Sequence, residues 1–211
     1  MNLLPQDVAD YIRKLCDRYD HPILLEMEAL GEEKGFPIVG RMAGSALEML
    51  ARSINALTVF ELGSGFGYSA FWFASAVGHG GEVILTDGNP QNTALSKDFL
   101  LRAGMLDRCK FITGDAVEAL DRTPGEFDVI YCDIDKEGYP EAWKHAKKRL
   151  RVGGMYLCDN VLWSGKVADT QNQEESTKAI RAHNEAVFAD DLFATTIIPI
   201  RDGLIAALRI G

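Results

Sequence analysis

Two short segments in this chain of 211 residues combine acidic, amide and basic side chains in a pattern that suits metal chemistry. The segment DIDK, residues 133–136, directly follows the apolar run 129–132, and Asp159 and Asn160 directly follow the run 155–158. If both runs are buried parallel strands, their carboxyl ends meet at the edge where open α/β sheets bind ligands. Carboxylate and amide oxygens are the donors that Mg²⁺ prefers. The two segments therefore predict a metal site with a lysine beside it.

A glycine-rich loop, residues 61–69 with the sequence ELGSGFGYS, follows another strand-like run and opens a helix-like segment. Its glycines allow a tight turn and a close approach of a ligand to the backbone. The G-x-G-x-G spacing differs from that of dinucleotide binders, and the loop lacks the lysine of a phosphate-binding loop. Asp87 and Asp115 end the next two strand-like runs, where an acid can bind ribose hydroxyls. Together these features predict a nucleoside pocket without provision for a pyrophosphate.

Strand-like and helix-like segments alternate from residue 58 onward, which is typical of a parallel sheet with helices on both faces. Strands are expected at 58–62, 82–86, 109–113, 128–132, 154–158, 192–199 and 204–210, and helices at 5–34, 41–54, 68–77, 90–103, 139–150 and 174–189. Asp202 and Gly203 favour a hairpin turn, which adds an antiparallel strand. Because no Pro/Ser-rich linker divides the chain, we expect one domain, 1–211, with a helical N-terminal extension, 1–55, and a core, 56–211.

The composition excludes several classes of protein. A net charge of -9 and a pI near 4.9 argue against a nucleic-acid or membrane partner. The four cysteines form no C-x-x-C pair, so free thiols in a reducing cytosol fit better than disulfides or zinc. Without a signal-peptide pattern or an apolar span, we expect a soluble, cytoplasmic protein. His145 and His183 are expected to be ordinary surface residues.

In their order and spacing, these motifs resemble class I S-adenosylmethionine-dependent methyltransferases. The motifs are the glycine loop, the acid at 87, GDA at 114–116, DIDK, and DNVLW at 159–163. More narrowly, DxDK followed by DNxLW is similar to cation-dependent O-methyltransferases typified by the catechol and caffeoyl-CoA enzymes. The resemblance runs from about Phe36 to the C-terminus. It implies an α/β fold: a Rossmann-like, doubly wound, mainly parallel seven-stranded sheet with a C-terminal antiparallel hairpin strand.

The resemblance also implies roles for individual residues. Asp133, Asp159 and Asn160 would hold Mg²⁺, Lys136 would act as the catalytic base at the substrate, and Trp163 would form a wall near the acceptor. The positions that match cofactor contacts are Ile38, Glu61, Gly63, Gly65, Tyr68, Ser69, Asp87, Asp115, Ala116, Asp133 and Asp135. Alternative roles stay open: core packing for Ile38 and Trp163, and a surface ion pair for Lys136. Asn184 is expected to support the metal site.

The activity expected from this resemblance is divalent-metal-dependent transfer of a methyl group from S-adenosylmethionine to a catechol-like acceptor with two vicinal hydroxyls. A free phenol has a pKa of about 10, so a metal is needed to stabilise the phenolate at neutral pH. The expected partners are a small aromatic acceptor and a second copy of the chain in a homodimer. Three alternatives remain: an NAD(P)-dependent oxidoreductase, a nucleotide-sugar enzyme with a DxD metal site, and a non-catalytic cofactor-binding homologue.

Overall fold

The computed structural model of the chain describes residues 5–16 and 20–211, and within them seven strands form one sheet. The strands are β1 Thr58–Leu62, β2 Glu82–Asp87, β3 Cys109–Thr113, β4 Phe127–Cys132, β5 Leu150–Cys158, β6 Phe193–Ile198 and β7 Leu204–Arg209. Their order is β3-β2-β1-β4-β5-β7-β6. Strands β1 to β5 pair in parallel, and β7 is antiparallel to both β5 and β6. The structure confirms the Rossmann-like, mainly parallel sheet with its antiparallel hairpin strand.

Helices cover both faces of the sheet. They are α1 Gln6–Cys16, α2 Pro22–Lys34, α3 Gly40–Ser53, α4 Tyr68–Val77, α5 Pro90–Arg102, α6 Ala116–Arg122, α7 Tyr139–Arg149 and α8 Glu175–Phe188. Residues from α2 to α5 pack in one buried cluster with one face of the strands, and residues from α6 to α8 pack in a second cluster with the other face. None of the helices in the described ranges has the length and apolar character to cross a membrane.

The central strands are buried on both faces, as parallel strands between two helical layers must be. Val59 and Val129 pack in the first cluster, whereas their neighbours Phe60 and Ile130 pack in the second. Because successive side chains point to opposite faces, each strand supplies both layers of the core. The helical N-terminal segment contributes to the first cluster through Met27. The single-domain organisation stays a prediction.

Two predicted elements differ from the structure, and one helix was not predicted. The helix expected over 5–34 is divided: α1 ends at Cys16 and α2 begins at Pro22, where proline occupies the first turn. A proline lacks the N–H that a helix interior needs, so it favours a helix start. Helix α6 was missed by the sequence reasoning. Strand β5 begins at Leu150, four residues before the predicted start at Gly154, because Leu150 pairs with Phe127 ahead of a register shift.

The sheet order brings the ends of β1, β4 and β5 to one place. Leu62 pairs with Cys132, and Cys132 pairs with Cys158, so the next residues of β4 and β5 lie side by side. The Asp133 N–H donates to Leu62 O at 2.8 Å, and the Asp159 N–H donates to Cys132 O at 3.2 Å. The chain leaves β1 and β4 toward opposite sides of the sheet, which creates a crevice at this edge.

Candidate active site

A cavity of about 960 Å³ opens at the carboxyl ends of the parallel strands. This volume lies at the upper end of the range of ~300–1,000 Å³ for small-molecule sites. Most of the site residues predicted from the sequence line it together. They are Ile38, Gly63, Gly65, Tyr68, Ser69, Asp87, Asp115, Ala116, Asp133, Asp135, Lys136, Asp159, Asn160 and Trp163. The predicted cofactor residue Glu61 does not line the cavity.

The glycine loop needs glycine for its conformation and its contacts. Gly63 has a φ of +83°, and a Cβ at this position would lie 2.5 Å from Asp133 O. Gly65 has a φ of +52°, and its Cβ would lie 2.9 Å from the Phe36 ring. A side chain at either position would be strained and would push the loop away from its neighbours. The loop therefore runs close to the end of β4 and forms a wall of the cavity.

Asp87 and Asp115 lie at the ends of β2 and β3, as predicted, and each already accepts a hydrogen bond. Oδ1 of Asp87 accepts from the Asn89 N–H at 2.7 Å and from Asn92 Nδ2 at 3.1 Å. Asp115 is the N-cap of α6, and its Oδ1 accepts from the Glu118 N–H at 2.7 Å. These contacts orient both carboxylates at the rim of the cavity and leave their second oxygens for a ligand.

Glu61 lies beneath the glycine loop and is fully buried. Neither of its carboxylate oxygens has a hydrogen-bond partner among the described residues. Burial raises the pKa of Glu61 to about 8, an effect that the nearby Ser69 and Ser64 hydroxyls oppose and the Asp133 carboxylate reinforces. Removal of the carboxylate from water, the largest of these effects, favours the neutral carboxyl form. Glu61 therefore stands behind the cavity wall as an uncharged group at neutral pH.

Tyr68 connects the glycine loop to the N-terminal helices. Its hydroxyl donates to Glu28 Oε1 at 2.7 Å, and Arg41 donates to both Glu28 oxygens at 2.8 and 2.9 Å. Burial raises the pKa of Tyr68, and the adjacent Glu28 carboxylate adds to that increase. The phenol thus remains a neutral donor. This network fixes α2 and α3 against the start of α4, so the N-terminal helices contribute to the shape of the cavity.

Asp133, Asp159 and Asn160 converge beside Lys136, as the sequence predicted. The Lys136 ammonium donates to Asp133 Oδ1 at 3.0 Å and to Asn160 Oδ1 at 2.8 Å. Asp159 is only 2% exposed, and its Oδ1 has no partner within the described part of the chain. Burial, with the nearby Asp133 carboxylate, raises the pKa of Asp159 to about 6.

This donor set fits a hard divalent cation. The Lys136 ammonium already lies between the Asp133 and Asn160 oxygens, and the buried Asp159 Oδ1 has no partner among the described residues. Two carboxylates and one amide are the type of ligands that Mg²⁺ takes. In the described ranges, no site combines three or more His, Cys, Asp or Glu side chains for a metal. The set depends on the amide of Asn160 as its third donor.

Lys136 is held by a tyrosine that the sequence reasoning missed. The Lys136 ammonium donates to the Tyr139 hydroxyl at 2.7 Å, and this hydroxyl donates to Asp159 O at 2.8 Å. The Lys136 ammonium therefore has its partners inside the cavity and does not form the surface ion pair that was the alternative. Tyr139 follows Lys136 by three residues, so both side chains lie on the same side of this turn. That spacing was the available signal for Tyr139.

The loop that follows β5 has an unusual backbone. Asn160, Trp163 and Ser164 have positive φ values of 58°, 48° and 54°. Asparagine tolerates this conformation, but it costs Trp163 and Ser164 about 1–2 kcal/mol each. Such strained residues concentrate at functional sites. Arg201, on the β6–β7 turn, has a φ of 49°, and its Nη1 lies 3.5 Å from Asp159 Oδ2. Arg201 also lines the cavity, although the sequence reasoning did not select it.

Trp163 and Ile38 both line the cavity, as expected of an acceptor wall and a cofactor contact, but both also pack on the core. The Lys136 ammonium lies 5.9 Å from the centroid of the Trp163 ring. The indole thus adjoins the lysine and the candidate metal ligands. An aromatic acceptor could stack against it at this end of the cavity.

The expectation for His183 was wrong, since this residue is fully buried. Its Nε2 lies 3.0 Å from the Tyr156 hydroxyl and its Nδ1 lies 3.1 Å from Asn184 Oδ1. Burial lowers the pKa of His183 to about 4, so it is neutral at physiological pH. Asn184 donates to Val161 O at 2.8 Å and so supports the loop after the candidate ligands. The other histidine, His145, lies on the surface between two carboxylates.

The chain is similar to known O-methyltransferases over nearly its whole length. A family model described as O-methyltransferase matches residues 16–210. A catechol O-methyltransferase of Niastella koreensis is 30% identical, covering 93% of this chain and 91% of its own. Caffeoyl-CoA O-methyltransferase 1 of Eucalyptus globulus is 31% identical, covering 80% of this chain and 73% of its own.

Solved structures share the fold. The O-methyltransferase TomG of Streptomyces achromogenes, in complex with SAM, has a TM-score of 0.89 at 23% identity and covers 99% of this chain and 100% of its own. An O-methyltransferase of Bacillus cereus, in complex with SAH, has a TM-score of 0.86 at 24% identity, with coverages of 94% and 97%. The extent of the family match and the similarity of the relatives lead to one conclusion: the chain belongs to the O-methyltransferase family.

Proposed function

We propose that this enzyme transfers a methyl group from S-adenosylmethionine to one hydroxyl of an aromatic acceptor with two vicinal hydroxyls, with the help of a divalent cation. The observation that carries the proposal is the convergence of Asp133, Asp159 and Asn160 on Lys136 inside the cavity that the glycine loop lines. Relatives named catechol and caffeoyl-CoA O-methyltransferases, and neighbours solved with SAM or SAH, support it.

The cofactor would occupy the part of the cavity between the glycine loop and the ends of β2 and β3. S-adenosylmethionine has a nucleoside but no pyrophosphate, which agrees with a loop that lacks a phosphate-binding lysine. Asp87 would accept from the ribose hydroxyls, and Asp115 with Ala116 would border the adenine. Asp135, exposed in the same cavity, would accept from the amino group of the methionine portion.

The acceptor must reach the sulfonium as an anion, because a neutral phenol is a poor nucleophile. A divalent cation held by Asp133, Asp159 and Asn160 would stabilise the phenolate and orient both hydroxyls. The phenolate oxygen then forms a bond to the methyl carbon while the carbon–sulfur bond breaks, which yields a methyl ether and S-adenosylhomocysteine. Holding both reactants at one rigid edge of the sheet would supply much of the rate.

Lys136, once its ammonium has released a proton to solvent, would receive the proton from the hydroxyl that is methylated. Tyr139 accepts a hydrogen bond from its ammonium at 2.7 Å and is itself fixed on Asp159 O. This arrangement would keep the lysine directed at the acceptor while Asp133 and Asn160 serve the cation. The Trp163 ring would limit the position of the aromatic acceptor on the adjoining side.

Membership of the O-methyltransferase family does not favour the alternative of an NAD(P)-dependent oxidoreductase. A non-catalytic homologue would have no need for Lys136 beside an intact set of oxygen donors. The homodimer and the cytoplasmic location stay predictions.

The test of the proposal is transfer of a labelled methyl group to catechol, compared with phenol, by the wild type and by Lys136→Ala. We expect the wild type to methylate catechol only, and the variant to lose at least about 100-fold in turnover, as for a general base. Binding of S-adenosylhomocysteine should be unchanged by calorimetry. Lys144→Ala, which removes an exposed lysine paired with Glu141, is the control. Equal turnover of catechol and phenol would refute the proposed substrate class.

A further inference from the structure

We propose that Arg201 forms a subsite for a carboxylate on the aromatic acceptor, so that the preferred substrates are acidic catechols. This inference rests on the proposed function and names the substrate class of the same site. Arg201 lies on the β6–β7 turn, and its side chain is 35% exposed toward the cavity that holds the candidate metal ligands.

The charges around the cavity single out Arg201. Among the described residues that line it, Lys136 and Arg201 carry the positive charges. The Lys136 ammonium, with three protons to donate, already faces the Asp133, Asn160 and Tyr139 side chains. Arg201 has five N–H donors, and its one contact in the described part of the chain is the 3.5 Å approach to Asp159 Oδ2. Arg201 therefore has donors to spare for a ligand.

The backbone at Arg201 is held in a conformation that an arginine does not favour. Its φ of 49° lies in the left-handed region, where glycine or asparagine would be less strained. The turn is fixed by hydrogen bonds to the loop after β5: the Leu162 N–H donates to Asp202 O at 2.8 Å, and the Val161 N–H donates to Gly203 O at 3.1 Å. A large cation kept in a strained position beside a cavity indicates a functional role.

The surroundings of Arg201 suit an aromatic acid. Trp163 lines the same end of the cavity and offers a surface for a ring. Ser176, near the start of α8, also lines the cavity. The guanidinium matches the planar, two-oxygen geometry of a carboxylate. A catechol bound through its two hydroxyls could therefore direct a ring carboxylate to Arg201.

Because carboxylates also line this cavity, binding of an anionic ligand should depend on Arg201. Asp159 lies 3.5 Å from Arg201, and Asp133 and Glu137 line the same cavity. Without the guanidinium, an acceptor carboxylate would lose its partner and meet like charges, which disfavours binding. A neutral catechol would experience neither change. If Arg201 served only as the counterion of Asp159, its loss would disturb the Asp159 carboxylate. The binding of both acceptors would then weaken equally.

The experiment is calorimetric binding of catechol and of protocatechuate, a catechol with one carboxylate, to enzyme loaded with Mg²⁺ and S-adenosylhomocysteine. The variant is Arg201→Asn, because asparagine tolerates a positive φ and should keep the turn folded. We expect protocatechuate to bind about tenfold or more weakly to the variant, as charge-assisted hydrogen bonds are lost. Catechol affinity should change less than about twofold.

The control variant is Lys166→Gln. Lys166 also contacts the Trp163 ring, at 5.8 Å, but pairs with Glu174 and does not line the cavity. It should leave the preference between the two acceptors unchanged. Equal losses for both acceptors, or no loss for protocatechuate, would overturn the subsite.

Wild-type turnover separates this inference from the proposed function. If the wild type binds protocatechuate through Arg201 but methylates neither acceptor, the proposed function fails and the anion subsite stands. If it methylates catechol and Arg201→Asn leaves the binding preference intact, the subsite fails and the proposed function stands.

Discussion

The buried carboxyl of Glu61 should make the stability of the fold depend on pH. In the unfolded chain its pKa is that of an ordinary glutamate, 4.5, whereas burial raises the pKa of Glu61 to about 8 in the folded protein. The folded state therefore holds a proton that the unfolded state releases between these values. The stabilisation is complete below pH 4.5 and is lost as pH rises to 8, a total of about 5 kcal/mol by linkage. At pH 7 about 3 kcal/mol is already lost.

The substitution Glu61→Gln keeps the shape of the side chain and removes the titration. Urea unfolding between pH 5 and pH 9 should show the free energy of unfolding of the wild type falling relative to the variant across this range. The variant should be the more stable protein at pH 9. Glu185→Gln, which alters an exposed glutamate on α8, is the matched control and should follow the wild type. Parallel curves for the wild type and Glu61→Gln would refute the reasoning.

Two further substitutions test the geometry of the site. Tyr139→Phe removes the hydroxyl between Lys136 and Asp159 O. We expect turnover of catechol to fall about tenfold, with KM and S-adenosylhomocysteine affinity nearly unchanged. A rise in KM as large as the fall in turnover would argue for a general disturbance of the site. Gly63→Ala places a Cβ 2.5 Å from Asp133 O at a φ of +83°. Because of this clash and strain, the free energy of unfolding should fall by about 2 kcal/mol or more. The affinity for the cofactor should fall as well. An alanine variant with wild-type stability and affinity would show that the loop does not need its glycine.

The sequence predicted the site best where functional side chains directly follow parallel strands. Each parallel strand delivers the residue after it to the same edge of the sheet, so Asp133 and Asp159 could be placed together from their positions after apolar runs. The glycine loop could be placed for the same reason, because Gly63 follows β1. The hairpin at Asp202 and Gly203 was predicted from its turn residues.

Apart from Tyr139, the residues that were missed reach the site from elements distant in sequence or depend on the rotation of a helix. Arg201 approaches Asp159 only because the β6–β7 turn docks on the loop after β5, a contact that no local pattern encodes. His183 is buried because of the face that α8 presents to the sheet. Two helix starts that were missed also had local signals. Asp115 followed three residues later by Glu118 is the pattern of a helix start, and Pro22 marked the start of α2.

The N-terminal helices illustrate the same limit. Their existence followed from apolar periodicity, but their connection to the cavity did not. That connection depends on Glu28, which accepts hydrogen bonds from Tyr68 of the glycine loop and from Arg41 of α3. A charged network between three separate elements is a property of the folded arrangement, and it explains how the N-terminal helices help to hold the loop in place.

We propose above all that oxygen donors at the ends of β4 and β5 hold a divalent cation that methyl transfer requires. The most direct measurement is transfer of a labelled methyl group to catechol as Mg²⁺ is restored to enzyme first treated with excess EDTA, for the wild type and for Asp159→Asn. We predict that EDTA abolishes turnover, that Mg²⁺ restores it with saturation in the wild type, and that the variant needs far more Mg²⁺. Full turnover in excess EDTA would contradict the claim.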